Sequence, residues 1–166
     1  MKSKKENSLL PIAVGLFMVL SYVIMKLVCR DQYDFIHIIS DKIAFPPMWI
    51  FNFLYMITLF LFGVGAGFIF DHVFRRGHSS IIENYFLKGA VFSVAVYFLS
   101  LLWCPALFSL RMTILSLIIS SLTTVCVVVT IIFWFRACSV YAALVIPYAA
   151  WTVYLNVMNF IIIFTM

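Results

Sequence analysis

Apolar residues dominate this chain in five long runs, over about 9–29, 45–70, 85–110, 112–135 and 140–166. Polar residues are confined largely to the short segments between them. Each run exceeds the roughly 18 apolar residues that mark a membrane-spanning helix. The third and fourth runs are parted only by Arg111, with Pro105 shortly before it. A proline interrupts a helix and a mid-membrane arginine is costly, so a tight turn is predicted there. Little chain is left over. The pattern therefore predicts an all-α integral membrane protein, a single five-transmembrane-helix bundle over residues 1–166.

Polar residues inside the runs are informative, because polar groups at membrane depth usually face a bundle interior or a ligand. The last run carries Pro147-Tyr148-Ala149-Ala150-Trp151 and then Asn156 and Asn159. At about 100° per residue, Tyr148, Trp151, Leu155 and Asn159 fall on one side. Pro147 frees a carbonyl one turn earlier and is expected to kink the helix and open space beside it. Flat rings with a few donors suit a flat, mostly apolar ligand. An aromatic belt with interhelical amide bonds fits the same residues. In the second run Trp49, Asn52, Met56, Gly63 and Gly67 share a narrow sector. Gly63 and Gly67 permit close helix approach, and Trp49 reads either as an interface anchor or as a ligand contact. Hydroxyl stripes on the third run (Ser93, Tyr97, Ser100) and the fourth (Thr113, Ser116, Ser120, Thr124) are helix–helix bonds or cavity lining.

Composition agrees with the pattern. The chain is 66% hydrophobic and 10% charged, with mean hydropathy +1.16, where soluble domains carry roughly 25% charged residues. Lys2, Lys4 and Lys5 precede an apolar stretch as in a signal peptide, but no A-x-A-like cleavage site follows. The segment is read as a permanent first helix. With five spans, Lys2, Lys4, Lys5, Arg75, Arg76, Lys88 and Arg136 share one side against Lys26, Arg30, Lys42 and Arg111, seven against four. The positive-inside rule then gives a cytoplasmic N-terminus. The net charge of +5 fits loops near anionic membrane lipid; no concentrated basic patch calls for nucleic acid. Cys29, Cys104, Cys126 and Cys138 form no metal spacing, and His37, His72 and His78 lie in or beside loops, so no metal site is predicted. No nucleophile, phosphate-loop or zinc-hydrolase motif occurs, and no paired carboxylates lie in the runs. Their absence counts against a proton-coupled transporter.

Several segments together resemble the translocator protein family (TspO/MBR), also called tryptophan-rich sensory protein or peripheral benzodiazepine receptor. Its P-P-x-W matches Pro46-Pro47-Met48-Trp49, and its later glycine pair matches Gly63 and Gly65. Its W-x-P-x-F-F-x-x-R resembles Trp103-Cys104-Pro105-Ala106-Leu107-Phe108-Ser109-Leu110-Arg111. Its W-(x)12-P-Y-x-A-W matches Trp134, Pro147, Tyr148, Ala150 and Trp151, and its L-N matches Met158-Asn159. The chain departs from the family at Ala44-Phe45, where a tryptophan is expected, and at Asn52-Phe53-Leu54-Tyr55, which replaces G-P-x-W. Ser100 stands for an asparagine and Ile119 for an acidic residue, and the tail lacks the Lys or Arg that a sterol-binding pattern needs. The resemblance implies a divergent bacterial member in the cell inner membrane, often dimeric in the family. It implies a pocket for porphyrins or related flat hydrophobic ligands under the first loop. On this chain the ligand-binding residues would be Pro47, Trp49, Asn52, Tyr55, Ser100, Trp103, Phe108, Tyr148, Trp151 and Asn159. Trp49 and Trp151 would be the pair that converges on the ligand and supports light-dependent porphyrin degradation, the only enzymatic activity implied. Porphyrin propionates would meet Arg30 or Lys42. No resident cofactor is implied beyond such a porphyrin.

Two other classes stay open on the sequence: a transporter of tetrapyrroles or lipids, and a regulatory membrane protein that acts through a partner. For the ligand-binding reading, the loop 30–44 is expected to fold over the bundle as a lid, because it is the longest polar segment between runs and feeds into stiff Pro46-Pro47. The topology is directly testable. In a background without native cysteines, single cysteines in loop 30–44 and at residue 166 should be labelled from the same, outer face. Labelling from opposite faces would overturn the five-span reading.

Overall fold

The structure is a computed structural model describing residues 9–29, 46–75 and 80–165. Loop 30–44, with Arg30 and Lys42, lies outside them. The described residues form helices α1 (Leu10–Val28), α2 (Met48–Arg75), α3 (Ser80–Cys104), α4 (Thr113–Ala142) and α5 (Ile146–Thr165). A π-helical turn (Pro105–Ser109) follows α3, and a 3₁₀ turn (Ala143–Val145) precedes α5. With no water to satisfy the backbone in hydrocarbon, helices that bond within themselves are the expected solution.

Among the described residues four helical stretches are long and apolar enough to cross a membrane: Leu10–Leu27, Met48–Phe74, Ser80–Ser109 and Thr113–Thr165. The sequence predicts five separate ones. The difference lies in the last stretch, where the fourth and fifth runs join into 53 helical residues. Straight, these would reach about 80 Å, far beyond a hydrocarbon core of about 30 Å. They do not run straight. Cys138 is extended (φ −160°, ψ 101°) inside α4. Beyond it the chain doubles back, so that Ser116 meets Asn159 and Ser120 meets Asn156. Arg136, beside this reversal, sets its guanidinium 5.5 Å from the centre of the Tyr85 ring.

Both prolines act differently from mid-helix breakers. The Pro105 carbonyl accepts from the Leu110 N–H (2.9 Å), the five-residue bond that widens the helix end. Arg111 then turns through the left-handed region (φ 53°), and α4 starts. This is how the turn predicted between the third and fourth runs is built. Pro147, expected to kink its helix, sits instead in the first turn of α5, where a missing N–H costs little. The carbonyl it cannot serve, that of Ala143, takes the Ile146 N–H.

Helices α1 and α2 approach at their glycines. A methyl on Gly67 would stand 2.5 Å from Pro11 Cα, and one on Gly63 would stand 2.7 Å from Gly15 Cα. Both obstacles are backbone and cannot swing aside. In lipid, where apolar surface alone gives helices little reason to associate, such close packing holds the pair. Elsewhere the core is aromatic: Phe51, Tyr55, Phe62, Trp103, Phe108, Trp134, Tyr148 and Trp151 are all buried. Overpacking at the glycine contact should cost about 1–3 kcal/mol. Gly67→Ala should therefore lower the midpoint of unfolding in a denaturing-detergent titration, whereas Ala at exposed Val91 should leave it unchanged.

Candidate functional site

The site grows from one stripe of α2. Phe51, Tyr55, Leu59, Phe62, Ile69 and Val73 recur at helical spacing, and all are buried. This stripe lies roughly a quarter turn from the one picked out in the sequence. Trp49, Asn52, Met56, Gly63 and Gly67 form the face toward α1, which explains the glycines there. It also explains Trp49: α1 ends at Val28, and the tryptophan is left 72% exposed. Pro47 is exposed too. Among the described residues Trp49 makes no ring contact with Trp151, which is buried.

Phe51 and Tyr55 are the residues that join the rest. Ring centroids of Phe51 lie 6.1 Å from Trp103 and 5.1 Å from Trp151. Those of Tyr55 lie 6.4 Å from Trp103, 6.0 Å from Trp151 and 6.5 Å from Tyr148. Phe108 meets Trp103 edge-on at 5.8 Å, and Tyr154 meets Trp151 at 5.0 Å. The polar tips close on one another. Tyr22 donates to Asn52 Oδ1 (2.8 Å), Tyr55 to the Ser100 carbonyl (3.2 Å), and the Tyr148 and Ser100 hydroxyls are bonded together. Two donors stay outside this network: Trp103 Nε1 and Trp151 Nε1 are buried without an acceptor.

Each of these indoles borders a void. Trp151, with Pro46, Phe51, Leu54, Pro147, Ala150 and Tyr154, lines a cleft of about 420 Å³ between α2 and α5. Among the described residues no charged side chain lines it. Trp103 lines a separate interior chamber of about 10 Å³ with Tyr55, Ser100, Ser120, Thr123, Tyr148, Thr152 and Leu155. The first is large enough for an organic ligand; the second is not. A further groove of about 300 Å³ lies between α1, α2 and α3, walled by Phe70, Phe86 and Trp134. Its indole is satisfied, since Trp134 Nε1 donates to the Phe86 carbonyl (3.4 Å).

Of the residues expected at a ligand site, Tyr55, Ser100, Trp103, Phe108, Tyr148 and Trp151 form one cluster, with Asn52 attached through Tyr22. Asn159 belongs to a different structure. It accepts from Ser116 Oγ and donates to Ser120 Oγ, both at 3.0 Å. Asn156 accepts from Ser120 Oγ and donates to Thr124 Oγ1, both at 2.7 Å. These bonds clamp α5 to α4. Phe51, Tyr22, Thr123 and Thr152 were not singled out from the sequence. The period of Phe51 with Tyr55 was there to find, but an all-apolar helix offers several equivalent stripes.

The clamp has a measurable worth. Asn159→Leu should lower stability by about 1–2 kcal/mol, the upper range for interhelical hydrogen bonds in membranes. Unfolding in denaturing detergent measures it, and a change below about 0.3 kcal/mol, well under the membrane average, would remove Asn159 from the clamp.

No curated protein matches the chain. A family model does, described as the TspO/MBR family, and the match runs over residues 9–164. It covers the described helices up to the last residue but one of α5, together with Pro105 and Pro147, and with the apolar stretches it makes this an integral membrane protein. By that match, extending over nearly the whole chain, the protein belongs to the TspO/MBR family.

Proposed function

We propose that the protein binds a porphyrin or a related flat hydrophobic ligand in the cleft between α2 and α5. The observation that carries this reading is Trp151 itself: a buried indole whose N–H has no acceptor, set in the wall of a 420 Å³ cleft. A buried donor without a partner is rare and calls for an explanation. An acceptor on a bound ligand supplies one. The remaining lining is what a flat π-surface needs: Phe51 and Tyr154 flank Trp151, and Pro46, Pro147, Leu54 and Ala150 add rigid or small apolar walls. Pro46 follows loop 30–44 after Phe45, so Lys42, four residues away, is the nearest cation along the chain for a ligand's carboxylates, and Arg30 begins the same loop.

The proposed setting is a bacterial inner membrane, crossed five times with the N-terminus cytoplasmic and the protein paired as a homodimer. The antiparallel packing of the halves of Thr113–Thr165 supports five crossings. The distribution of Lys and Arg supports the orientation. The cleft is open at the bundle's flank, where Leu54 and Ala150 are exposed, so a ligand dissolved in lipid has a direct route in.

Titration of the purified protein in detergent with protoporphyrin, followed by tryptophan quenching, tests the reading. Trp151→Ala should weaken binding by about 1–3 kcal/mol, by analogy with lost base stacking. Trp151→Phe should retain part of it, because a flat ring remains. Any light-driven loss of bound porphyrin should fall more steeply than binding in Trp151→Phe, since phenylalanine is much harder to oxidise. Wild-type affinity in a folded Trp151→Ala, Phe51→Ala double variant would falsify this site.

A further inference from the structure

The interior chamber has a chemistry of its own, independent of the cleft. Trp103 Nε1 contributes a donor without a partner, on a side chain only 4% exposed. The hydroxyls around it have already committed their protons. Thr123 donates to the Ile119 carbonyl (2.7 Å) and Thr152 to the Ala149 carbonyl (2.8 Å). Ser120 is engaged with both asparagines, and Ser100 with Tyr148 and the Val96 carbonyl. A hydroxyl oxygen still has two lone pairs after donating. Among the described residues nothing donates to Thr123 Oγ1 or Thr152 Oγ1. The residues lining the chamber therefore leave one N–H without an acceptor and two hydroxyl oxygens with lone pairs to spare.

The occupant that complements this set must accept one hydrogen bond, donate two and fit about 10 Å³. That volume corresponds to a single water, and buried waters typically make about three hydrogen bonds to polar groups left over by the fold. An alkali cation would face the indole proton, and an anion would face oxygens whose protons point elsewhere. We propose that the chamber is a binding site for one ordered water, which accepts from Trp103 Nε1 and donates to Thr123 Oγ1 and Thr152 Oγ1. The water joins α3, α4 and α5 at the back of the aromatic cluster. It orients Trp103, whose ring packs on Phe51, without touching the cleft.

The full-length protein in detergent micelles allows two readouts. The Raman band that reports indole N–H hydrogen bonding, isolated as the wild-type minus Trp103→Phe difference, should sit at its hydrogen-bonded position, although the fold gives this N–H no acceptor. The 15N-labelled Trp103 indole should show a magnetisation-transfer peak to water. Thr123→Ser with Thr152→Ser should keep both signals. Thr123→Val with Thr152→Val should abolish both while helicity is retained. A free-indole band position in the wild type overturns the proposal, as does a hydrogen-bonded one that survives the valine pair. Should the valine pair not fold, the wild-type and serine spectra decide: signals present in both support the water, and a missing water peak rejects it.

Discussion

A chain that enters hydrocarbon must satisfy its own polar groups, and that requirement organises this bundle. The backbone meets it by being helical. The side chains meet it in two ways. Lone hydroxyls fold back on their own helix, as Thr58, Thr130 and Thr165 do onto carbonyls three or four residues earlier. The amides cannot do this alone, because each carries two donors and an acceptor. Asn156 and Asn159 find partners on another helix, in the hydroxyl stripe of α4. This need fixes how α5 lies on α4, and with it which way Tyr148 and Trp151 face.

Close packing shapes the other side of the molecule. Backbone-to-backbone approach at Gly63 and Gly67 seals α1 against α2, and the remaining faces are filled by large rings. A core built from stacked and tilted aromatics leaves gaps of irregular shape. Here the gaps are of two kinds. One lies inside the bundle among hydroxyl-bearing residues and is water-sized. The other lies on its flank and is apolar and large. The two buried indoles without acceptors divide between them, one to each.

Family membership and geometry meet at the same residues without repeating each other. The Pro-Tyr-x-Ala-Trp segment places Trp151 at the cleft because α5 starts at Ile146 and its first turn faces α2. The Pro-Pro-x-Trp segment marks the start of α2, but Trp49 sits on the face beyond the end of α1 and not on the stripe that carries Phe51. The position of a motif along the chain is kept; its direction is set by the helix it meets.

The apolar runs by themselves determined that the chain is helical and membrane-embedded, because length and hydropathy suffice to choose helix in hydrocarbon. They also located the turn at Arg111 and put Tyr148 and Trp151 on one face as candidate ligand contacts, while Tyr55 came in only through the resemblance to the family. Where they fell short, the reason is the same each time. A helix apolar all round has no single moment, so periodicity leaves open which stripe of α2 faces the core and does not distinguish Phe51. Asn159 read equally well as a ligand group or a clamp until Ser116 and Ser120 stood opposite it. Pro147 promised a kink until the 3₁₀ turn before it took up the freed carbonyl. Composition and period are properties of one segment; the facing of a helix, the partner of an amide and the size of a void depend on two or more segments at once, and only the packed bundle decides them.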